Sequence, residues 1–159
     1  MPTRSKEVPI PLWIHDKLTC GYLGEIPANN HLVNILTQES ITFHGMQFAI
    51  PTNSLGNSYV VFKIKSGSDE PWSAGSIQII FYLPLGETIH GPFFVIKPYL
   101  LLNTEDAQLD PYHKFLVAAG QLFYEESSDL LVCTLDKIQC HFAHTPYNSP
   151  NISVKVQWP

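Results

Sequence analysis

Charged side chains are scarce in this sequence, and basic ones are scarcer than acidic ones. Only 14% of the 159 residues are charged, and nine Lys plus Arg stand against fourteen Asp plus Glu, a net charge of −5. Duplex DNA binding usually requires a concentrated basic surface, and a dense basic window such as Lys63–Lys65 holds only two lysines. The composition therefore disfavours non-specific DNA binding. With a hydrophobic fraction of 45%, it also argues against disorder over the whole length.

Cysteines and long apolar runs are scarce as well. The three cysteines, Cys20, Cys133 and Cys140, are an odd number whose spacing matches no disulfide scaffold. The segment Met1–Trp13 has no apolar run typical of a signal peptide, and no stretch reaches the length that spans a membrane. We therefore expect reduced thiols, no membrane partner and an intracellular location, in the nucleus or the cytoplasm.

The motifs of the common catalytic classes are missing. Neither glycine-rich phosphate-binding pattern, GxGxxG or GxxxxGK, occurs. Cys133 and Cys140 lie among apolar strand residues, where a thiol is normally buried and inert. The adjacent acids at Asp69–Glu70, Glu105–Asp106 and Glu125–Glu126 stand in polar loops, where such pairs are typically solvated. The sequence predicts no enzyme activity and no cofactor. Among the functions considered for this chain, a hydrolase or thiol enzyme is the least favoured.

One run, Cys140–His144 (CHFAH), carries the residue types that bind zinc. A structural zinc site needs four ligands, and the nearest other donors are Cys133 and His113, without a paired CxxC motif. In a strand, Cys140 and His141 would also face opposite sides. We therefore expect no metal, with Cys140 in the core and one histidine bonded to the backbone.

Proline is abundant, at 13 residues, and it divides the chain into short elements. Aromatic and branched residues between proline and glycine positions are typical of a barrel or a sandwich. The pattern predicts a mainly β fold: a single compact β-barrel with one or two short helices and an N-terminal arm. We place the arm and a short helix in residues 1–40 and the barrel-like domain in residues 41–159.

Within the arm, Met1–Val8 is polar and expected to be frayed, and Pro9–Ile14 is expected to be extended by its two prolines. A helix is predicted over residues 30–38, with Asn29 and Asn30 as N-caps. The strand segments predicted for the domain are Ile41–Ile50, Ser58–Ile64, Ser73–Leu83, Pro92–Leu102, Gln121–Tyr124, Leu130–Thr134, Leu135–His141 and Ile152–Trp158.

Two details of these strands are predicted from particular residues. Gln121–Tyr124 and Leu130–Thr134 are predicted to form a hairpin, joined by the polar turn Glu125–Asp129. Pro98 cannot donate a hydrogen bond to a strand ladder, so we place it at a sheet edge or a bulge.

Aromatic residues make up 12% of the sequence, and several stand near the ends of predicted strands. Two or three rings and an acid at a barrel mouth can hold a methylated ammonium by cation–π attraction. Most aromatic side chains fill the core instead. As the candidate ligand-binding site we select the residues that adjoin loops: Trp72, Tyr99, Tyr124 and Glu125.

The order of segments in Trp72–Tyr147 carries a family resemblance. A strand containing Ala74–Ile77 (AGSI) leads to the aromatic stretch Phe93–Leu102, then to Gly120–Glu126 (GQLFYEE) and a segment ending in CTLDKIQCHF. This arrangement resembles the core of a bromo-adjacent homology domain. The resemblance implies a small β-barrel and, as partner, a histone tail or another chromatin ligand.

A second resemblance lies in Leu109–Phe115 (LDPYHKF) and in Gly120–Pro146, which contains GQLFY and CHFAHTP, and more loosely in Phe43–Tyr82. These runs are similar to a C-terminal region of fungal plavaka-type transposon proteins, over about two thirds of the chain. The resemblance implies an accessory module of a transposon-derived protein, since the catalytic core of a transposase would lie upstream.

From these observations we predict a non-catalytic interaction module that binds a protein segment. An aromatic cage or a free strand edge would serve equally. The alternative is a nucleic-acid-contacting accessory domain of a mobile-element protein. It would require these basic side chains to gather on one face: Arg4, Lys63, Lys65, Lys97 and Lys114.

Overall fold

Twelve strands and two short helices are present in the part of the chain that the structure, a computed structural model, describes. That part comprises residues 5–21, 34–64, 72–110, 121–148 and 153–158. The strands are β1 (Lys6–Pro9), β2 (Asn34–Gln38), β3 (Ser40–Phe43), β4 (Met46–Ala49), β5 (Tyr59–Phe62), β6 (Ser73–Leu85), β7 (Thr88–Leu101), β8 (Gln121–Glu126), β9 (Leu131–Thr134), β10 (Ile138–His141), β11 (Ala143–Asn148) and β12 (Ser153–Trp158). The helices are α1 (Leu12–Gly21) and α2 (Thr104–Gln108). The prediction of a mainly β fold is confirmed.

The two longest strands, β6 and β7, form the centre of the sheet and pair with each other antiparallel. Both are nearly continuous runs of apolar residues, which is typical of strands that are covered on both faces. Because side chains alternate along a strand, Phe93 and Val95 enter one core cluster, whereas Phe94 and Ile96 enter another. The apolar sequence therefore specifies two packed faces.

Helix α1 covers one face of this ribbon and the β3–β4 hairpin covers the other. On the first face, Ile14 and Leu18 of α1 are fully buried against Leu83. On the second, the ring of Phe48 in β4 lies edge-on to Phe94, with 5.8 Å between centroids. A third, smaller cluster contains Ala74, Tyr99, Phe123 and Phe142.

The ten-stranded sheet is antiparallel, and its main path runs β1-β2-β6-β7-β8-β12-β11. Strand β5 also pairs with β6 and carries β10, and β9 also pairs with β7. The end strands β1 and β11 do not pair with each other, so the sheet is not closed and the predicted barrel is wrong in this respect. A small closed barrel buries one inner face, whereas β6 and β7 are apolar on both faces.

Strands β8 and β9 lie one after the other along the same edge of β7. Between β8 and β9 the chain stays beside β7, and the N–H of Ser127 donates to the carbonyl of Pro98 at 2.7 Å. The predicted hairpin of these two strands is therefore wrong. The polar stretch Glu125–Asp129 connects two strands that follow each other in the same direction, so the chain does not turn back on itself there. Pro98 was predicted at a sheet edge or a bulge, but it lies in the central strand β7, paired with Gly75. On its other side it falls between the residues of β7 that pair with β8 and those that pair with β9, so its missing N–H breaks neither ladder.

The predicted helix over residues 30–38 is wrong in its described part, because Asn34–Gln38 is strand β2, held between β1 and β6. Its first residues and the caps Asn29 and Asn30 lie outside the described residues. Pro9–Ile14 is extended only at its start. The carbonyl of Pro11 accepts from the N–H groups of Ile14 and His15, so the proline begins α1, where its missing N–H is not needed.

The segment predicted as one strand over Ile41–Ile50 is the hairpin β3–β4. His44 and Gly45 form its two-residue turn with φ of 48° and 80°. Turns with two positive φ angles match the twist of the flanking strands, and glycine adopts them without strain.

Candidate functional site

The residues predicted to form an aromatic site do not share one surface where their side chains are described. Tyr99 is only 6% exposed, and its ring lies in the third core cluster, 6.2 Å from the ring of Phe142. Phe123 belongs to the same cluster, so its neighbour in β8, Tyr124, faces the opposite side. Glu125 belongs to β8, and its side chain lies outside the described residues.

Trp72 is 43% exposed and contacts a cation that the chain itself supplies. The ammonium of Lys63 lies 4.5 Å from the centroid of the Trp72 ring, within the range of cation–π attraction. The Trp72 ring can thus bind an ammonium group, which is the property that the predicted aromatic site requires of it. Binding of an external ligand by these residues stays a prediction.

Tyr124 fastens helix α2 to the sheet. Its hydroxyl donates to the carboxylate of Asp106 and accepts the backbone N–H of Asn103 at 3.3 Å. The Asn103 side chain caps α2 by accepting the N–H of Asp106 at 2.8 Å. The hydrogen bond to Asp106, and after it burial, raises the pKa of the Tyr124 hydroxyl above its ordinary value.

We expect Asp106→Asn to lower the pKa of Tyr124, because the carboxylate that favours the protonated hydroxyl is removed. Absorbance of tyrosinate during an alkaline titration would measure the change, and Tyr124→Phe would assign the signal. Glu105→Gln serves as the control, because Glu105 contributes only the smallest of the influences on this hydroxyl. Equal shifts in the Asp106 and Glu105 variants would contradict the assignment.

The histidines of the CHFAH run support the sheet at Tyr59. His141 Nδ1 lies 3.1 Å from the carbonyl oxygen of Tyr59 and so acts as the donor, which confirms the prediction that one of these histidines bonds to the backbone. The ring of His144 contacts the rings of Tyr59 and Tyr99, with centroid distances of 4.8 and 5.8 Å.

The two cysteines with described side chains differ in their surroundings. Cys133 is buried in the second core cluster, and burial raises the pKa of its thiol to about 12. Cys140, predicted to be a core residue, is only half-buried. Across the described ranges, no group of three or more His, Cys, Asp or Glu side chains is arranged to hold a metal ion. His113 lies outside those ranges.

The basic residues required by the nucleic-acid alternative are only partly described. Lys63 lies over Trp72, and Lys97 stands in β7 opposite Ser76. Arg4, Lys65 and Lys114 lie outside the described residues. Contact with nucleic acid stays a prediction.

A groove of about 630 Å³ lies at the C-terminal end of β2. Strand β2 pairs with Ile80–Tyr82 of β6, and β5 pairs with Ser73–Ser76. Residues 77–79 of β6 therefore lie in a gap between two ladders, and the groove forms over this gap. Its lining residues are Lys6, Thr37, Gln38, Glu39, Ser40, Ile50, Asn53, Gln78 and Ile79.

Two opposite charges line this groove. The carboxylate of Glu39 accepts one hydrogen bond, from the side-chain amide of Asn53 at 3.3 Å. The ammonium of Lys6 forms no ion pair with any residue that the structure describes, and neither does Glu39. Both side chains are exposed. The groove therefore offers one cation and one anion to a ligand.

The groove adjoins a free strand edge at Lys6. Strand β1 pairs with β2 from Lys6 opposite Thr37 to Pro9 opposite Asn34, and its other side has no partner strand within the described ranges. An unpaired strand edge presents backbone N–H and C=O groups that another chain can bond. Sequence reasoning missed this edge because it expected Met1–Val8 to be frayed.

No family model, curated protein or solved structure was found to match this chain. The resemblances to bromo-adjacent homology domains and to plavaka-type proteins stay predictions. In the described part of the chain, no helix has the length and apolar character needed to cross a membrane. Fold and geometry together define a mainly antiparallel β domain with a free edge beside a charged groove.

Proposed function

We propose that this chain is a non-catalytic interaction module that binds an extended segment of a protein partner as a strand added to β1. The observation that carries the proposal is the outer edge of β1, which ends the main path of the sheet. In strand addition, main-chain hydrogen bonds supply affinity, and adjoining side chains and pockets supply specificity.

The groove beside Lys6 supports the same proposal. A segment that lies along β1 reaches the groove where Lys6 lines it. Besides its two charges, the groove presents neutral hydrogen-bonding side chains, namely Thr37, Gln38, Ser40, Asn53 and Gln78. Hydroxyl and amide groups both donate and accept, so they suit the polar side chains of a peptide.

The two family resemblances extend the proposal to the partner and to the origin of the module. If the resemblance to bromo-adjacent homology domains holds, the partner is a histone tail or another chromatin protein. If the resemblance to plavaka-type proteins holds, the module is an accessory part of a transposon-derived protein that acts in the nucleus or the cytoplasm.

Proline substitution at the edge tests strand addition. We expect a phage-displayed library of random peptides to yield sequences that bind the wild-type chain, and Glu7→Pro and Val8→Pro to affect them differently. Successive N–H groups point to opposite sides of a strand, so one substitution removes a bond to β2 and the other removes an outward donor. The Thr37 hydroxyl donates to the carbonyl of Lys6, so the backbone groups of Lys6 and Val8 face β2 and those of Glu7 face outward. Glu7→Pro is therefore expected to keep the wild-type melting temperature and lose peptide binding, whereas Val8→Pro is expected to lower the melting temperature.

The outcomes assign the site or reject it. Failure to select any peptide, or unchanged affinity in both proline variants, would contradict strand addition on β1. Loss of binding in Trp72→Ala and Tyr124→Ala, with the proline variants unaffected, would instead place the ligand at the predicted aromatic residues.

A further inference from the structure

The edge of β1 presents its side chains in a fixed order, namely Lys6, Glu7 and Val8. Residues directly opposite each other in an antiparallel pair lie on the same face, with Cβ atoms about 4.5–5.5 Å apart. Val8 packs against the core cluster that contains α1, and Lys6, two positions away, lies on the same face. Glu7 lies on the opposite face.

We infer that the added strand runs antiparallel to β1 and carries an apolar, a basic and an acidic residue in that order, opposite Val8, Glu7 and Lys6. This specificity depends on the strand addition proposed above. The apolar residue extends the margin of the cluster to which Val8 belongs. Antiparallel pairing is preferred because it is the more stable of the two arrangements per residue.

The charges of β1 explain the other two positions. Lys6 forms no ion pair within the described residues, so an acid opposite it gains an attraction that the chain does not already supply. One carboxylate oxygen of Glu7 accepts the side-chain amide of Asn34 at 2.8 Å, and its other oxygen is available to a basic residue. Opposite charges across a strand pair stabilise it, and like charges destabilise it.

The same pattern disfavours a second copy of this chain as the partner. Two identical antiparallel edges related by a twofold axis must pair one residue with its own equivalent. A register centred on Lys6 or on Glu7 sets like charges opposite each other. A register centred on Val8 sets Glu7 opposite Pro9 and Lys6 opposite Ile10, so neither charge gains an opposite charge as its partner.

Two peptides of identical composition test the order of charges. Both have the same threonine-rich flanks, and their centres are Val-Lys-Glu and Val-Glu-Lys. Their affinities are measured by fluorescence anisotropy against the wild type and the double variant Lys6→Glu/Glu7→Lys. We expect the wild type to prefer Val-Lys-Glu roughly tenfold, and the double variant to prefer Val-Glu-Lys by a similar factor.

Net charge is the same for both peptides and for both proteins, so a general electrostatic effect cannot produce the reversal. Equal affinities, or no binding of either peptide, would overturn the inferred order while the proline variants still decide whether strands add to β1. A wild-type preference for Val-Glu-Lys would show that β1 does not select the charges in this antiparallel register, and it would overturn the inferred order. Concentration-dependent dimers in sedimentation, lost in the outward proline variant, would identify a second copy as the occupant and overturn the inferred partner.

Discussion

Replacing Gly75 with alanine is expected to lower the free energy of unfolding by about 3 kcal/mol. A Cβ atom at this position would lie 2.7 Å from the Lys97 carbonyl oxygen, 2.7 Å from Ile96 Cγ2 and 3.1 Å from Pro98 Cα. Real Cβ atoms do not approach backbone this closely, so β6 and β7 would have to separate. Both strands are held by packed side chains on two faces, which makes separation costly.

Gly56→Ala is the matched control, because no atom lies within 4 Å of the Cβ that it would add. We expect it to change stability by no more than about 0.5 kcal/mol. Urea unfolding followed by far-ultraviolet circular dichroism would measure both variants. A Gly75→Ala protein as stable as the Gly56→Ala protein would show that β6 and β7 are not in close contact here.

The second large effect is expected in α1, where Leu18→Ala should cost about 2–5 kcal/mol. The Leu18 side chain is fully buried, in the same cluster as Leu83 and Val95 of the central ribbon. Removal of its apolar atoms would leave a cavity between helix and sheet. Leu12→Ala changes the same residue type in the same helix at a side chain that is 76% exposed, and it should change stability little.

This pair of variants tests whether residues 1–40 and the rest of the chain fold as one unit. Trp13 packs against the same cluster. In a background that carries Trp72→Phe and Trp158→Phe it is the single tryptophan of the chain, so its fluorescence reports on the helix, whereas circular dichroism reports on the sheet. We expect both signals to shift together in Leu18→Ala. A shift confined to fluorescence would show that α1 docks on a sheet that is stable without it.

The central strands could be predicted from the sequence because their signal is local. In β6 and β7 the apolar runs are long. Both strands extend beyond the predicted segments, because Pro84 of β6 and Gly91–Pro92 of β7 lie within the strands and do not end them. The apolar residues of Leu32–Leu36 also fit a helical stripe, so the local pattern predicts a helix where strand β2 forms. Its conformation is decided by pairing with β1 and β6, which no local pattern reveals.

The type of candidate site could be predicted from the sequence, but its position could not. The sequence predicts either an aromatic cage or a free strand edge as the binding site. The position of the free edge follows from the order of strands, which depends on contacts between distant segments. Lys6 and Glu39 meet at one groove because β1 and β2 pair there. The predicted aromatic residues adjoin loops in the sequence, but strand alternation directs Tyr99 inward and Tyr124 outward.

The long β6–β7 ribbon has a consequence for how the protein forms. Its two strands are joined by the two-residue turn Gly86–Glu87, so the pairs in the middle of the sheet are close neighbours along the chain. Contacts between near neighbours close quickly, since little chain entropy is lost. During synthesis, the ribbon is complete once Leu101 has left the ribosome, and strands β8 to β12 then meet a template that already exists.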